Sequence, residues 1–118
     1  MCDKGRAEPS HPERRMNRFA DSIVVPLDAE AARYRLHAIL SGLPRVKDVY
    51  IGVSVVEART RIGLESFGET ITCTLRPEGA GTRVDAVSCS VVPMTAVDWG
   101  VNRGNIRLLM AELGLIHA

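Results

Sequence analysis

The residues that could carry acid–base, nucleophilic or metal chemistry are spread thinly along this chain. Its three histidines and three cysteines are far apart in sequence, and no two cysteines form a C-x-x-C pair, so we expect no metal site. General acid–base catalysis needs a carboxylate or histidine beside a second reactive group. The candidates for that role match no known constellation and are His37, Glu65, Glu69, Asp85 and Asp98. We therefore expect no cofactor and favour a protein without catalytic activity.

Two chemically capable side chains have simpler structural interpretations. Glu69 directly follows Gly68 at a predicted turn, where its carboxylate would accept hydrogen bonds from the amide groups of the turn or pair with an arginine. Cys73 alternates with Ile71 and Leu75 on one face of a predicted strand, so we expect it to be a small buried hydrophobe. Neither residue supports an active site.

The composition is that of one globular domain. Hydrophobic residues make up 46% of the 118-residue chain and charged residues 25%. The net charge of +1 is lower than that of most nucleic-acid-binding domains, so we expect no nucleic-acid partner. No apolar run approaches the ~20 residues that cross a bilayer, and the N-terminus lacks the apolar core of a secretory signal. These features predict a cytoplasmic protein without a membrane span.

The first residues differ in character from the rest. Residues 1–18 combine many charges with two prolines and almost no large aliphatic side chains, which predicts a disordered tail. Met16 is an alternative start to Met1. Residues 19–118 are expected to form a single domain.

That domain opens with a short strand and an amphipathic helix. The segment F-A-D-S-I-V-V-P predicts a strand over 19–26, ended by Pro26. Asp28 is a good N-cap for a helix that stops at Gly42. The predicted buried face of the helix, spaced by three and four residues, holds Ala29, Ala32, Leu36, Ile39 and Leu40.

Four further segments alternate apolar and polar residues with the period of two that is typical of strands. They are V-Y-I-G-V-S-V-V-E at 49–57, R-I-G-L-E-S-F at 61–67, E-T-I-T-C-T-L-R at 69–76 and T-R-V-D-A-V-S-C-S-V-V at 82–92. Turns between them predict an antiparallel meander. Its expected opposite pairs are Val55 and Ile62, Leu64 and Ile71, Leu75 and Val84, and Cys73 and Ala86. The same interior face would also hold Val49, Ile51 and Val53.

The segment V-D-W-G-V-N-R-G-N-I at 97–106 predicts the first turns of a second helix. Asp98 is its expected cap, and the helix should end near Leu113, before Gly114. Its buried stripe would comprise Trp99, Asn102, Ile106, Leu109 and Leu113. The predicted fold is therefore an α+β domain of order β-α-β-β-β-β-α, with two helices packed on one face of an antiparallel sheet.

Three residues of this segment are unusual for a helix. Gly100 and Gly104 each cost about 1 kcal/mol relative to Ala, so we expect them to allow close approach of the helix backbone to its neighbours. Asn102 lies on the apolar stripe and needs hydrogen-bond partners, which we expect to be backbone groups at a strand end or in the loop before Asp98. A less favoured alternative is a small anion or polar ligand at the helix N-terminus, assisted by Arg103.

Several short motifs resemble a small bacterial domain family of unknown function. They are F-G-E at 67–69, T-R-V at 82–84 and D-W-G-V-N-R-G-N-I at 98–106. Members of that family carry a W/F-G-E turn and a C-terminal D-W-G-x-N-x-x-N-I/V helix start, and the D-x-G-x-N element is distantly similar to DUF1499 proteins. The resemblance covers about residues 47–113 and implies no chemistry.

Two functions fit this architecture. We favour a non-catalytic interaction module that acts through a surface, on a protein partner or as a homodimer. The alternative is a helix-grip-like binder that holds a small apolar ligand between the C-terminal helix and the sheet. The candidate ligand or partner residues are Tyr50, Phe67, Trp99, Asn102 and Arg103.

Overall fold

The computed structural model describes residues 18–63, 68–91 and 100–117. These residues form an α+β fold with the predicted order β-α-β-β-β-β-α. The elements are β1 (Arg18–Val25), α1 (Ala29–Ser41), β2 (Val46–Ile51), β3 (Val55–Thr60), β4 (Glu69–Glu78), β5 (Gly81–Ser90) and α2 (Val101–Leu113). Most of the predicted tail, together with 64–67 and 92–99, lies outside the described residues.

The strands belong to one antiparallel sheet with the order β1-β5-β4-β3-β2. The last strand, β5, lies between β1 and β4, and the edges of the sheet are therefore β1 and β2. The predicted register of the β4–β5 hairpin is confirmed, since Leu75 lies opposite Val84 and Cys73 opposite Ala86.

The valine-rich segment at 49–57, predicted as one strand, is instead a hairpin. Strand β2 ends at Ile51 and β3 begins at Val55, and the Gly52 N–H donates to the Val55 carbonyl oxygen at 2.7 Å. Apolar residues continue through the turn, so their alternation hides the break. Val53, which we expected in the interior, lies at the tip of the hairpin and is 90% exposed.

This hairpin changes the registers on its side of the sheet. Two predicted pairs are wrong, because Val55 lies opposite Thr74 and Ile71 lies opposite Ala58. Residues 61 and 62 are in no strand, and 64–67 lie outside the described part of the chain. Two more residues assigned to the interior are exposed, namely Ile51 at 41% and Ile62 at 73%. Their place in the core is taken by Val56 and Ala58.

Both helices cover the same face of the sheet, and their apolar residues join those of the strands in one core. The Asp28 carboxylate accepts the Ala31 N–H at 2.8 Å, which confirms the predicted N-cap of α1. Ala29 is exposed, contrary to its predicted place on the buried face, because it lies in the first turn. The fully buried helix residues are Leu36 and Leu40 of α1 with Asn102, Ile106, Leu109 and Leu113 of α2. No helix in the described ranges is long and apolar enough to cross a bilayer.

The start of α2 differs from the prediction. The N-cap is Gly100, with φ of 75° and no side-chain capping bond, whereas the expected cap, Asp98, lies outside the described residues. A Cβ added at Gly100 or Gly104 would meet no atom of the described residues within 4 Å, so the predicted close approach of the helix backbone to the sheet or to α1 is wrong. Gly100 is explained by its left-handed backbone, and nothing in the structure explains Gly104.

The two glycines should therefore respond to alanine in opposite directions. Gly104→Ala should raise the free energy of unfolding by about 0.5–1 kcal/mol, because alanine is the better helix former and has open space. Gly100→Ala should lower it by about 1 kcal/mol, because φ is 75°. Urea denaturation followed by circular dichroism measures both. A destabilised Gly104→Ala protein would contradict the open surroundings of that position.

Candidate functional site

A buried polar cluster lies at one end of the sheet, beneath the first turns of α2. We call it the Glu69 network. It is built from the loop before β2, the end of β3, the start of β4, the end of β5 and α2. Its members are Arg45, Thr60, Glu69, Ser88, Ser90, Asn102 and Asn105.

Glu69 is the centre of this network and is 1% exposed. Its Oε1 atom accepts hydrogen bonds from Arg45 Nη2 at 2.9 Å, Thr60 Oγ1 at 2.9 Å and Asn105 Nδ2 at 3.3 Å. The Glu69 N–H donates to Thr60 Oγ1 at 2.7 Å. Its Oε2 atom is buried and accepts no hydrogen bond from the described residues. The predicted pairing of Glu69 with an arginine is confirmed, and the partner is Arg45.

The other half of the network joins α2 to β5 through side chains. Asn105 Nδ2 donates to Ser88 Oγ at 3.1 Å, and Ser88 Oγ donates to Asn102 Oδ1 at 2.7 Å. Asn102 Nδ2 donates in turn to Ser90 Oγ at 3.1 Å. The buried amide on the apolar stripe therefore has hydrogen-bond partners near the end of a strand, and those named here are serine hydroxyl groups of β5, whereas backbone groups were predicted. These contacts fix the position of α2 on the sheet.

Arg45 reaches Glu69 from a strained backbone. Its φ is 67°, the only positive value for a non-glycine residue in the described ranges. Such a conformation costs about 1–2 kcal/mol and persists where neighbouring contacts hold it. Here the Arg45 carbonyl oxygen accepts the Arg61 N–H at 2.7 Å, while its guanidinium bonds Glu69. The loop before β2 is thus held to the end of β3 and to β4.

The Glu69 network has the properties of a structural lock, that is, a set of buried hydrogen bonds that stabilises the fold. The Glu69 carboxylate is 1% exposed, and three donors from three separate segments of the chain hold its Oε1 atom in place. Within the described ranges, no group of three His, Cys, Asp or Glu side chains is placed to hold a metal ion. Cys73 is fully buried, and burial raises the pKa of its thiol to about 12, so at neutral pH it is a protonated core residue.

A second feature is an exposed apolar patch at the end of edge strand β2 and in the turn that follows it, which we call the β2 edge patch. It comprises Tyr50, Ile51 and Val53. Tyr50 is 54% exposed on the sheet face opposite the helices, with the Arg59 guanidinium 5.6 Å from the centre of its ring. The Arg33 Nη1 atom donates to the Gly52 carbonyl oxygen at 2.9 Å and anchors the hairpin to α1.

Five residues were predicted for a ligand or partner, and the three that the structure describes are not gathered in one place. Tyr50 lies on edge strand β2, whereas Asn102 belongs to α2 and is buried between that helix and the sheet. Arg103 is exposed on α2, and its guanidinium lies 5.4 Å from the ring centre of Phe19 in β1, the opposite edge of the sheet. Phe67 and Trp99 lie outside the described residues.

Sequence reasoning missed both the burial of Glu69 and the open edge. A signal for the first was present, because Glu69 is in phase with Ile71 and Cys73 on the inward face of β4. Ser88 is likewise in phase with Val84, on the inward face of β5. Tyr50 of the β2 edge patch was among the predicted partner residues, but no comparable signal marked Ile51 and Val53, because the turn interrupts the valine-rich segment without changing its apolar pattern.

Comparison with known proteins adds no identification. The sequence matches no protein-family model, and it gives no significant match to a curated protein. The resemblance to a small bacterial domain family therefore stays a prediction.

If Glu69 is a structural lock, removing its charge should destabilise the domain. Glu69→Gln should lower the free energy of unfolding by about 1–3 kcal/mol, because a buried charge-assisted bond to Arg45 is lost. Glu57→Gln is the matched control, since Glu57 also accepts from a threonine, Thr72 at 3.3 Å, but lies on the outer face. The control should lose no more than about 0.5 kcal/mol. If urea denaturation shows the same loss of unfolding free energy for both variants, Glu69 does not stabilise the domain more than an outer-face glutamate does.

Because the pKa of Cys73 is raised in the folded protein, the free energy of unfolding should depend on pH. The thiol pKa is about 12 in the folded protein against an ordinary value of 9.0, so the folded state holds the proton more tightly. Stability from this group is complete below pH 9 and is lost as pH rises from 9 towards 12. Between pH 8 and pH 10.5, about 2 kcal/mol would be lost in the wild type and not in Cys73→Ala. Urea midpoints of both proteins at the two pH values measure the difference, and parallel losses would contradict the burial of Cys73.

Proposed function

We propose that this domain is a non-catalytic interaction module that binds a protein partner through the β2 edge patch and the adjoining outer face of the sheet. The observation that carries the proposal is the exposure of three large apolar residues at one end of an edge strand, Tyr50 and Ile51 within β2 and Val53 in the turn that follows, at 54%, 41% and 90%. Clustered exposed apolar residues, with an aromatic among them, are typical of binding surfaces. The composition supports a cytoplasmic location for such a module.

The charges on the outer face support a protein partner rather than a nucleic acid. Arg83 donates to Glu78 through Nε at 2.6 Å, and Arg76 Nε lies 3.7 Å from Asp85 Oδ2. The hydrogen bond from Arg83 lowers the pKa of the Glu78 carboxyl, which keeps that carboxylate charged. Arginines that are neutralised in this way provide little of the positive potential that phosphate binding requires.

The packing beneath the helices supports a surface rather than a cavity. Ile106 and Leu109 of α2 are 0% exposed and form one continuous apolar cluster with Ile71 and Val84 of the sheet. A helix-grip-like binder would need the space that these side chains occupy. No observation on the described residues favours that alternative.

The proposal predicts that Tyr50 contributes to association and that a similar tyrosine elsewhere does not. Tyr50→Ser should weaken partner binding or self-association about tenfold, as loss of an interface tyrosine typically does. Tyr34→Ser is the matched control, because Tyr34 is 58% exposed on α1 and also lies under an arginine, with Arg33 at 5.3 Å. Sedimentation velocity and pull-down from cell extract measure both variants. Unchanged behaviour of Tyr50→Ser in both assays would sink the proposal.

A further inference from the structure

The backbone of β2 presents unused hydrogen-bonding groups at the edge of the sheet. Gly52 and Val55 form a hydrogen-bonded pair, and such pairs alternate with non-hydrogen-bonded pairs along an antiparallel ladder. Tyr50 is therefore bonded to β3, whereas Val49 and Ile51 point their N–H and C=O groups away from it. Since β2 is an edge strand, no described element of the sheet pairs with those groups.

The two edges of the sheet differ in how far they are protected. On β1, the Asp21 carboxylate accepts the Ser22 N–H at 2.8 Å and occupies a donor that another strand would need. On β2, a register irregularity between Val46 and Asp48 interrupts only the first half of the strand. The second half, which carries the β2 edge patch, has no such protection.

We infer that the partner of the β2 edge patch is a second copy of this chain, joined by antiparallel pairing of the two β2 strands with Tyr50 at the two-fold axis. This inference rests on the proposed function and names its partner. A two-fold axis makes the paired strands antiparallel. With Tyr50 at the axis, Val49 of each copy lies opposite Ile51 of the other, and each pair exchanges both of its N–H···O=C bonds.

The register with the axis at Tyr50 pairs more of the free backbone groups of β2 than the registers with the axis at Val49 or at Ile51. An axis at Val49 would place Ile51 opposite Lys47, which lies in the register irregularity. An axis at Ile51 would place Val49 opposite Val53, which lies in the turn. Only the axis at Tyr50 puts both outward-pointing residues into hydrogen-bonded pairs with each other.

The side chains and charges are compatible with the same register. Tyr50 would meet its own copy on the outer face in a non-hydrogen-bonded pair, where side chains approach most closely. Val49 and Ile51 would extend the apolar face beneath α1. Asp48 would lie opposite Gly52 and diagonal to Tyr50, within reach of the tyrosine hydroxyl. Among the residue pairs that this register forms between the two β2 strands, none joins like charges.

The area of the β2 edge patch determines how tightly the two copies should bind. Burial of the exposed parts of three side chains on each copy removes on the order of 700 Å² from water, given ~200 Å² for a whole aromatic side chain. Stable interfaces bury about 1,200 Å² or more. The dimer should therefore be weak and should appear only as the protein concentration rises.

Cysteine cross-linking tests the register directly. Tyr50→Cys should form an intermolecular disulfide on mild oxidation, because directly opposed residues place their Cβ atoms about 4.5–5.5 Å apart. Asp48→Cys is the control, since this register separates the two copies of residue 48 by about 13 Å along the strands. Both variants retain the native cysteines, so the native protein provides the background level. Cross-linking at residue 48 equal to that at residue 50 would overturn the register.

Sedimentation equilibrium tests the dimer itself. Ile51→Lys should weaken dimerisation at least tenfold, whereas Ile62→Lys, at a residue 73% exposed and outside the strands, should not change it. Equal thermal melts of the two variants would show that both fold. A native protein that stays monomeric up to millimolar concentration overturns the inference, and so does a dimer that Ile51→Lys leaves intact. If the chain is monomeric but Tyr50→Ser still loses a captured protein, the proposed function stands and the homodimer falls.

Discussion

The Glu69 carboxylate lies on the inward face of the sheet, where a charge is tolerated only if donors surround it. That requirement links parts of the chain that are distant in sequence. Arg45 comes from the loop before β2, Thr60 from the end of β3 and Asn105 from α2. The left-handed backbone of Arg45 and the placement of α2 over β5 bring two of those donors to the carboxylate. One buried charge thus organises one end of the domain.

The other end of the domain has the opposite character. Strand β3 runs from Val55, beside the exposed hairpin tip, to Thr60 in the Glu69 network. The network fixes one end of the strand, and the bond from Arg33 to Gly52 fixes the hairpin at the other. The β2 edge patch is therefore presented on a rigid support. A preorganised surface loses less conformational entropy on binding, which favours association through a small area.

The accuracy of the sequence-based prediction depends on how turns are marked. The β4–β5 register was predictable because Gly79 and Gly81 mark the turn between two long alternating strands. The β2–β3 hairpin was not, because Val53 continues the apolar alternation through the turn. Similarly, the pairing of Glu69 with an arginine could be expected from its chemistry. Which arginine it would be could not be predicted, because Arg45 and Glu69 are 24 positions apart and no local sequence pattern indicates their contact.

The first turns of α2 show how tertiary contacts replace local signals. The helix begins at a glycine without a side-chain capping bond and carries a second glycine in its interior, so its intrinsic propensity is low. Asn102 and Asn105 compensate, because they bond to Ser88, Ser90 and Glu69 across the helix–sheet interface. A polar residue on an apolar stripe is unfavourable for an isolated helix and favourable here. The asparagines of this segment therefore serve the position of the helix, and the binding surface that we propose lies elsewhere, on β2.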